Sequence, residues 1–197
     1  VPVISLNPSG LEKNSGFQFT PSLLIEALYS IFYGDVLMLL KNQAEPYEVQ
    51  PGATKAVLDR WVEILTEQFR RHAWLPVVRF RRNLRGIARD FEAIERTKEE
   101  KIKVGIVGEI YVKYSPLGNN NLEQFLLSEG AEPVVPGLTD FVIFKIYNRD
   151  VDVDIYGGRW IKQKFCQIFA SYIKKYQRAM IDALNRSGRF RAPGDFD

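Results

Sequence analysis

The stretch from Lys103 to Pro136, KVGIVGEIYVKYSPLGNNNLEQFLLSEGAEPVVP, constrains the fold more than any other part of the chain. It holds a β-rich apolar run, a turn-rich segment, a short amphipathic helix and a second apolar run. That order is the order of a strand, a crossover helix and a parallel strand. Val104, Ile106 and Val107 follow one another without clean alternation, the pattern of a strand covered on both faces. Pro116, Gly118 and three successive asparagines then require a turn. Asn121 is the expected N-cap of the helix, Leu122, Phe125 and Leu126 its buried stripe, and Gly130 its left-handed stop. Val134 and Val135 read as the second strand, closed by Pro136 and Gly137.

Most of the remaining sequence has helical spacing. Val1 to Leu6 reads as a short strand that leaves into a loop, Asn7 to Gly16, either mobile or ligand-facing. Thr20 followed by Pro21 is a strong helix start, and Leu23, Leu24, Ala27, Leu28, Ile31 and Phe32 form a wide stripe. The apolar run continues to Leu40, interrupted by Gly34 and Asp35, so this helix is apolar enough to be covered on more than one side. A second helix is expected with Val57, Trp61, Ile64, Leu65 and Phe69 on one face.

From Arg79 to Arg89, RFRRNLRGIAR, basic residues crowd together, yet Phe80, Leu84, Ile87, Phe91 and Ile94 fall at helical core spacing. A solvated helix face is the first reading of these arginines; a protein-docking face and a nucleic-acid patch are the others. The run LTDFVIFKIYN has no clear period, so helix and strand both stay open, with helix preferred because Thr139 can cap it. RDVDVDIYGG reads as a polar loop; Asp150, Asp152 and Asp154 resemble the start of a calcium loop but lack its Gly and its closing Glu. Trp160, Phe165, Phe169, Tyr172, Tyr176, Met180 and Leu184 mark a long closing helix that Gly188 ends.

The expected architecture is therefore α/β. Residues 1–7 give a strand, 20–100 a helical section, 101–150 a β-α-β unit and 157–188 a long helix, in one α/β domain or a fragment excised from a longer chain. At most about three strands are present, few for a doubly wound sheet, so either the sheet is small or further strands come from elsewhere.

A net charge of +3 in 197 residues does not argue for nucleic acid. No apolar run approaches the ~20 residues of a membrane helix, which makes cytoplasm the default expectation and a membrane partner unexpected. Cys166 is the sole cysteine and His72 the sole histidine, which excludes an internal disulfide, a His-rich metal site and a His-containing triad. An iron–sulfur cluster takes about four thiolates, so Cys166 alone cannot hold one. Its place beside large apolar residues reads as a structural thiol.

Ligands of open α/β sheets bind beyond the carboxyl ends of the strands. That edge runs here from Gly108 to Asn121. Glu109 is the candidate carboxylate base, Lys113 a candidate anion contact, and Asn119, Asn120 and Asn121 candidate ligand amides. Each also has a structural reading, as strand end, snorkelling lysine, turn or cap. Gly105 and Gly108 form G-x-x-G with no helix expected straight after them, short of a dinucleotide fingerprint, and no Walker-type loop is present.

GIVGEIYVKYSPLGNNNL with EGAEPVVPGLTDF behind it resembles the central signature of the 2-hydroxyacyl-CoA dehydratase-like superfamily. The nearest likeness is to its long CoA-substrate-specific activase-related chains. VPVISLNPSGLEKNSGF, YGDVLM at Tyr33 to Met38 and EPYEVQPGAT at Glu45 to Thr54 occur in the order that family has, so the resemblance covers most of the chain. It implies a Rossmann- or flavodoxin-like domain from an anaerobic system in which an ATP-hydrolysing activator passes an electron for radical dehydration of an acyl-CoA. By that resemblance an iron–sulfur cluster and ATP belong to the parent system, and its other domains or subunits are partners. Neither ATP-binding modules nor clustered cysteines lie in this sequence. The chain is thus expected to position a cluster, an acyl-CoA or a partner subunit without being catalytically complete. The alternative is a noncatalytic docking domain, a homodimer included, whose long apolar helices and arginine-rich face engage other proteins. Where the family has Arg before Pro-Tyr-Glu, Glu45 reverses the charge.

Overall fold

Thr20 opens the first helix as expected: its Oγ1 accepts the Leu23 N–H at 3.2 Å and Pro21 takes the first helical position. The computed structural model describes residues 20–71, 77–156 and 160–193. The expected strand at Val1 to Leu6, its loop and His72 lie outside the described residues, as does the side chain of Cys166.

Helix α1 spans Pro21–Ala44, α2 Ala53–Arg70 and α3 Val77–Glu92. Strand β1, Lys103–Gly105, is followed by a short helix α4, Ile110–Tyr114, by α5, Leu122–Ser128, and by β2, Glu132–Val134. Helices α6, Leu138–Tyr156, and α7, Trp160–Ser187, complete the order. The molecule is mostly helical, with one small sheet in which β1 and β2 are parallel and Lys103 pairs Glu132, Val104 Pro133 and Gly105 Val134. The strand–crossover–strand order read from residues 103–136 is therefore present.

Helix α1 is the axis of the fold, packing against α2, α3, α6, α7 and β2. Its neighbours bury it on more than one side, which explains why Phe32, Tyr33, Val36 and Leu40 run so close together. At the centre Tyr29, Phe32, Phe80 and Tyr176 form a ring cluster: Phe32 stacks on Tyr176 at 5.3 Å, and Tyr29 meets Phe80 edge-on at 5.4 Å. The Tyr29 hydroxyl donates to that of Tyr176 at 2.9 Å, so a buried polar tip is partnered where the rings are driest. The expected stripe is buried, Phe80, Leu84, Ile87 and Phe91 in α3 and Ile94 just beyond its end, while Arg81, Arg82, Arg85 and Arg89 stand in solvent. A smaller core of Ile106, Leu126, Ala131 and Val135 sits under the sheet.

Several expectations are corrected. Val107 is 77% exposed and β1 is open at Lys103 and Gly105, so this strand is not covered on both faces. Phe125 is 56% exposed, because a seven-residue helix buries only Leu126 fully. Asn121 occupies the N-cap position in a left-handed conformation (φ 56°), but the cap comes from Asn119, whose Oδ1 accepts the Leu122 N–H at 3.2 Å. A helix does open just after Gly108, since the Glu109 carboxylate accepts the Tyr111 N–H at 3.1 Å and caps α4. Ile64, Phe169 and Tyr172 face outward, the stripes of α2 and α7 being narrower than their spacing implies. Residues 138–148 are helical, as preferred, but α6 continues through Tyr156, so Asp150, Asp152 and Asp154 lie in helix and not in a loop. Thr139 does not cap α6; that work falls to Asp35. Gly130 (φ 75°) ends α5 as expected.

Candidate functional site

The chain leaves β2 as Val135-Pro136-Gly137 and turns directly into α6. A cavity of about 310 Å³ runs along β2 to this exit, walled by α1, β2, the β2–α6 connection, α7 and the terminal segment at Arg191 to Pro193. The position is the one at which parallel sheets receive ligands, and the volume suits a small molecule.

Asp35 reaches this place from the middle of α1. Its Oδ1 accepts the Leu138 N–H at 2.8 Å and its Oδ2 the Thr139 N–H at 2.7 Å, satisfying two orphan donors at the start of α6. Gly137 makes the approach possible, because a Cβ there would stand 2.8 Å from Asp35 Oδ2. Burial holds the Asp35 carboxyl above its ordinary range, and the backbone N–H bonds from Thr139 and Leu138 oppose that rise.

Asp140, in the first turn of α6, accepts the Gln177 Nε2–H from α7 at 2.7 Å. Burial first, and the charge of Asp35 second, push its carboxyl up to about 6; the Gly137 N–H, Gln177 and Lys113 pull the other way. Gln177 is 1% exposed, and its Oε1 has no hydrogen-bond partner. Tyr114 braces the β2–α6 connection, its hydroxyl donating to the Pro136 carbonyl at 2.6 Å; burial, Asp35 and Asp140 raise it to about 12. Two carboxyls with raised affinity for protons, set against an unpaired amide oxygen, can hold a donor group or pass a proton.

The far wall is fastened by ionic and amide contacts. Glu132, buried in β2, accepts from Tyr47 at 2.7 Å and from Arg191 Nη2 at 2.5 Å. Gln43 holds the Arg191 backbone at both its N–H (2.8 Å) and its carbonyl (2.9 Å). A shallower groove beyond this wall carries Arg96, Lys98, Lys103 and Arg189 beside Glu92, Glu95 and Glu99, close to charge balance.

The residues singled out from sequence lie on the neighbouring edge. Glu109 caps α4; Lys113 is half-buried, its ammonium 5.3 Å from the Tyr114 ring centre; Asn119 bridges the Val112 carbonyl and the Leu122 N–H. Asn120 and Asn121 supply the positive-φ turn (55° and 56°). Only Lys113 reaches toward Asp140. The sequence reading missed Asp35, Asp140 and Gln177. Asp35 carried the one visible signal, an acid within an apolar helix, since unpaired acids are almost never fully buried.

An iron–sulfur cluster does not fit the residues present. The chain has one cysteine, and among the described residues no three His, Cys, Asp or Glu side chains are grouped to hold a metal ion. Among the described residues no helix is long and apolar enough to cross a membrane. No family model matches the chain, and neither a curated protein nor a solved structure matches it.

Proposed function

We propose that the chain is a positioning domain of an iron–sulfur dehydratase system related to the CoA-substrate-specific activases. In this reading it presents an acyl-CoA or a partner subunit to a cluster and an ATP-driven electron donor carried elsewhere. The supporting observation is the convergence of the segments that carry the family resemblance. Asp35 of YGDVLM binds Leu138 and Thr139 of EGAEPVVPGLTDF, and Tyr47 of EPYEVQPGAT binds Glu132 of that same segment. Residues far apart in sequence thereby fix both ends of β2, Tyr47 at its first residue and Asp35 at its exit. The β1–α5–β2 unit is the seed of a Rossmann- or flavodoxin-like sheet.

Acyl-CoA is assigned to the edge from Gly108 to Asn121, where Lys113 and the asparagine turn meet exposed Val107 and Tyr111. Amide shifts of the full chain titrated with acetyl-CoA and butyryl-CoA test this. Shifts confined to residues 107–121 support it; an unperturbed edge at millimolar ligand removes it.

A second reading, a noncatalytic docking domain, draws on exposed apolar side chains. Phe144 and Tyr147 of α6 and Ile168, Phe169 and Tyr172 of α7 all face outward. Within α1 the chain itself buries Tyr29, Phe32, Tyr33, Val36, Leu37 and Leu40. Sedimentation velocity decides: concentration-dependent association that Ile168→Glu abolishes favours docking, and a compact monomer at all concentrations counts against a homodimer.

A further inference from the structure

The cavity behind the β2–α6 connection has an unmet chemical requirement that goes beyond the acyl-CoA reading. Four charged side chains line it among the described residues: Asp35, Glu132, Asp140 and Arg191. Arg191 is committed to Glu132 at 2.5 Å, and those two cancel. The oxygens of Asp35 are occupied by backbone N–H groups, which satisfy its hydrogen bonding without neutralising its charge. Asp140 receives Gln177 Nε2, also a neutral donor. Among the described residues neither Asp35 nor Asp140 has a basic side chain in ion-pair contact. The lining therefore carries two acids without an ion-pair partner, Lys113 acting on Asp140 only from a distance.

Gln177 adds an independent observation. Its Nε2 is fixed on Asp140, so its Oε1 points elsewhere, fully buried and with no donor to meet it. A buried acceptor left unpaired is destabilising, and a ligand N–H removes that cost. Beside the polar Asn42, Gln43 and Thr139, the lining is apolar, with Met38, Leu39, Val135, Pro136 and Met180. Since liquid water occupies about 30 Å³ per molecule, the space accommodates a ligand of roughly ten non-hydrogen atoms. A metal ion would need several more oxygen ligands than two acids and an amide provide. A primary ammonium carries one positive charge and three donors, and an alkyl or aryl body fits the remaining wall.

We propose that this cavity binds a small primary ammonium ligand with an apolar body, its nitrogen held between the Asp140 carboxylate and Gln177 Oε1. Asp35 contributes charge from behind, and the Glu132–Arg191 pair closes the far side. No lining residue of the cavity belongs to the Gly108–Asn121 edge, so the proposal stands or falls without the dehydratase reading.

The test is calorimetric titration of the full chain at pH 7.5 and low salt with 2-phenylethylammonium chloride, set against 2-phenylethanol, which has the same body without the charge. The expected result is at least tenfold tighter binding of the ammonium, with amide shifts at Gly137 to Asp140 and at the Gln177 side chain. Asp140→Asn should lower the ammonium affinity tenfold or more and leave the alcohol unchanged. The shift map of the unmodified chain needs no variant and keeps the test open if Asp140→Asn misfolds. Equal affinities, shifts confined to residues 107–121, or no binding of the ammonium at 10 mM on the order of the weakest measurable affinity would each overturn the proposal.

Discussion

Asp35 on α1 caps α6 across a separation of 104 residues, its Oδ2 accepting the Thr139 N–H at 2.7 Å. Helix caps are usually local; this one ties the central helix to the exit of β2 and fixes the wall of the cavity. Asp35→Ala leaves the Leu138 and Thr139 N–H groups unpaired in a buried place and should destabilise the chain by about 2–3 kcal/mol. Asp35→Asn keeps one acceptor oxygen and should cost about half as much. Urea denaturation at pH 7 measures both, and an Ala variant as stable as the parent would mean that water replaces the cap.

Asp140 gives stability a pH dependence of definite sign. Its carboxyl stands at about 6 in the folded chain against an ordinary 3.8, so the folded state holds more protons than the unfolded state between those values. Stability therefore falls as pH rises from about 4 to about 6. Asp35 on α1 acts in the same sense, while Lys113 on α4 and Gln177 on α7 oppose the rise. With partial solvent screening of this group, the change is roughly 1–2 kcal/mol. Denaturation midpoints of the parent and Asp140→Asn, compared from pH 4 to 7.5, should converge at the acid end and separate toward pH 7, with the variant the more stable.

The sequence made the framework legible where one physical rule acted alone. Helical spacing placed the α3 core, Phe80 to Phe91, because an amphipathic helix must bury its stripe. Gly130 marked the end of α5 because a left-handed stop favours glycine. The expectation failed where a distant group took over a local task. Thr139 looks like the cap of α6, but Asp35 reaches the same N–H groups first. Phe125 has the spacing of a core residue, yet the helix is too short and its sheet too narrow to cover it. The cavity was hidden for the same reason: Asp35, Asp140 and Gln177 come from three elements, and no spacing in one segment places them together.

Gly86 on α3 lies under the Trp61 ring, and a Cβ there would stand 2.8 Å from Cη2 and 2.9 Å from Cζ2. The ring cannot swing aside freely, since Trp61 Nε1 donates to Asp90 at 3.0 Å and Asp90 also pairs Arg60 at 2.7 Å. An exposed helical Gly→Ala change gains up to about 1 kcal/mol, but overpacking costs ~1–3. Gly86→Ala should therefore be destabilising on balance and shift the Trp61 emission, while the double variant with Trp61→Phe should recover most of the loss. A single variant more stable than the parent would show that α2 and α3 separate at no cost.

Asn83 is the buried polar link between α1, α2 and α3. Its Nδ2 donates to the Tyr33 hydroxyl at 3.0 Å and to Gln68 Oε1 at 2.8 Å, and burial drives the Tyr33 phenol well above its ordinary range. Asn83→Leu matches the amide in bulk but strands both acceptors, and should cost about 2–4 kcal/mol. Tyr33→Phe removes only one hydroxyl from a ring that stays packed against Phe80 at 5.1 Å, and should cost about 1 kcal/mol. The combination decides whether the three groups act as a network. If they do, adding Tyr33→Phe to Asn83→Leu restores stability, because the stranded hydroxyl is gone. Simple additivity in urea denaturation would mean that Asn83 contributes by packing alone.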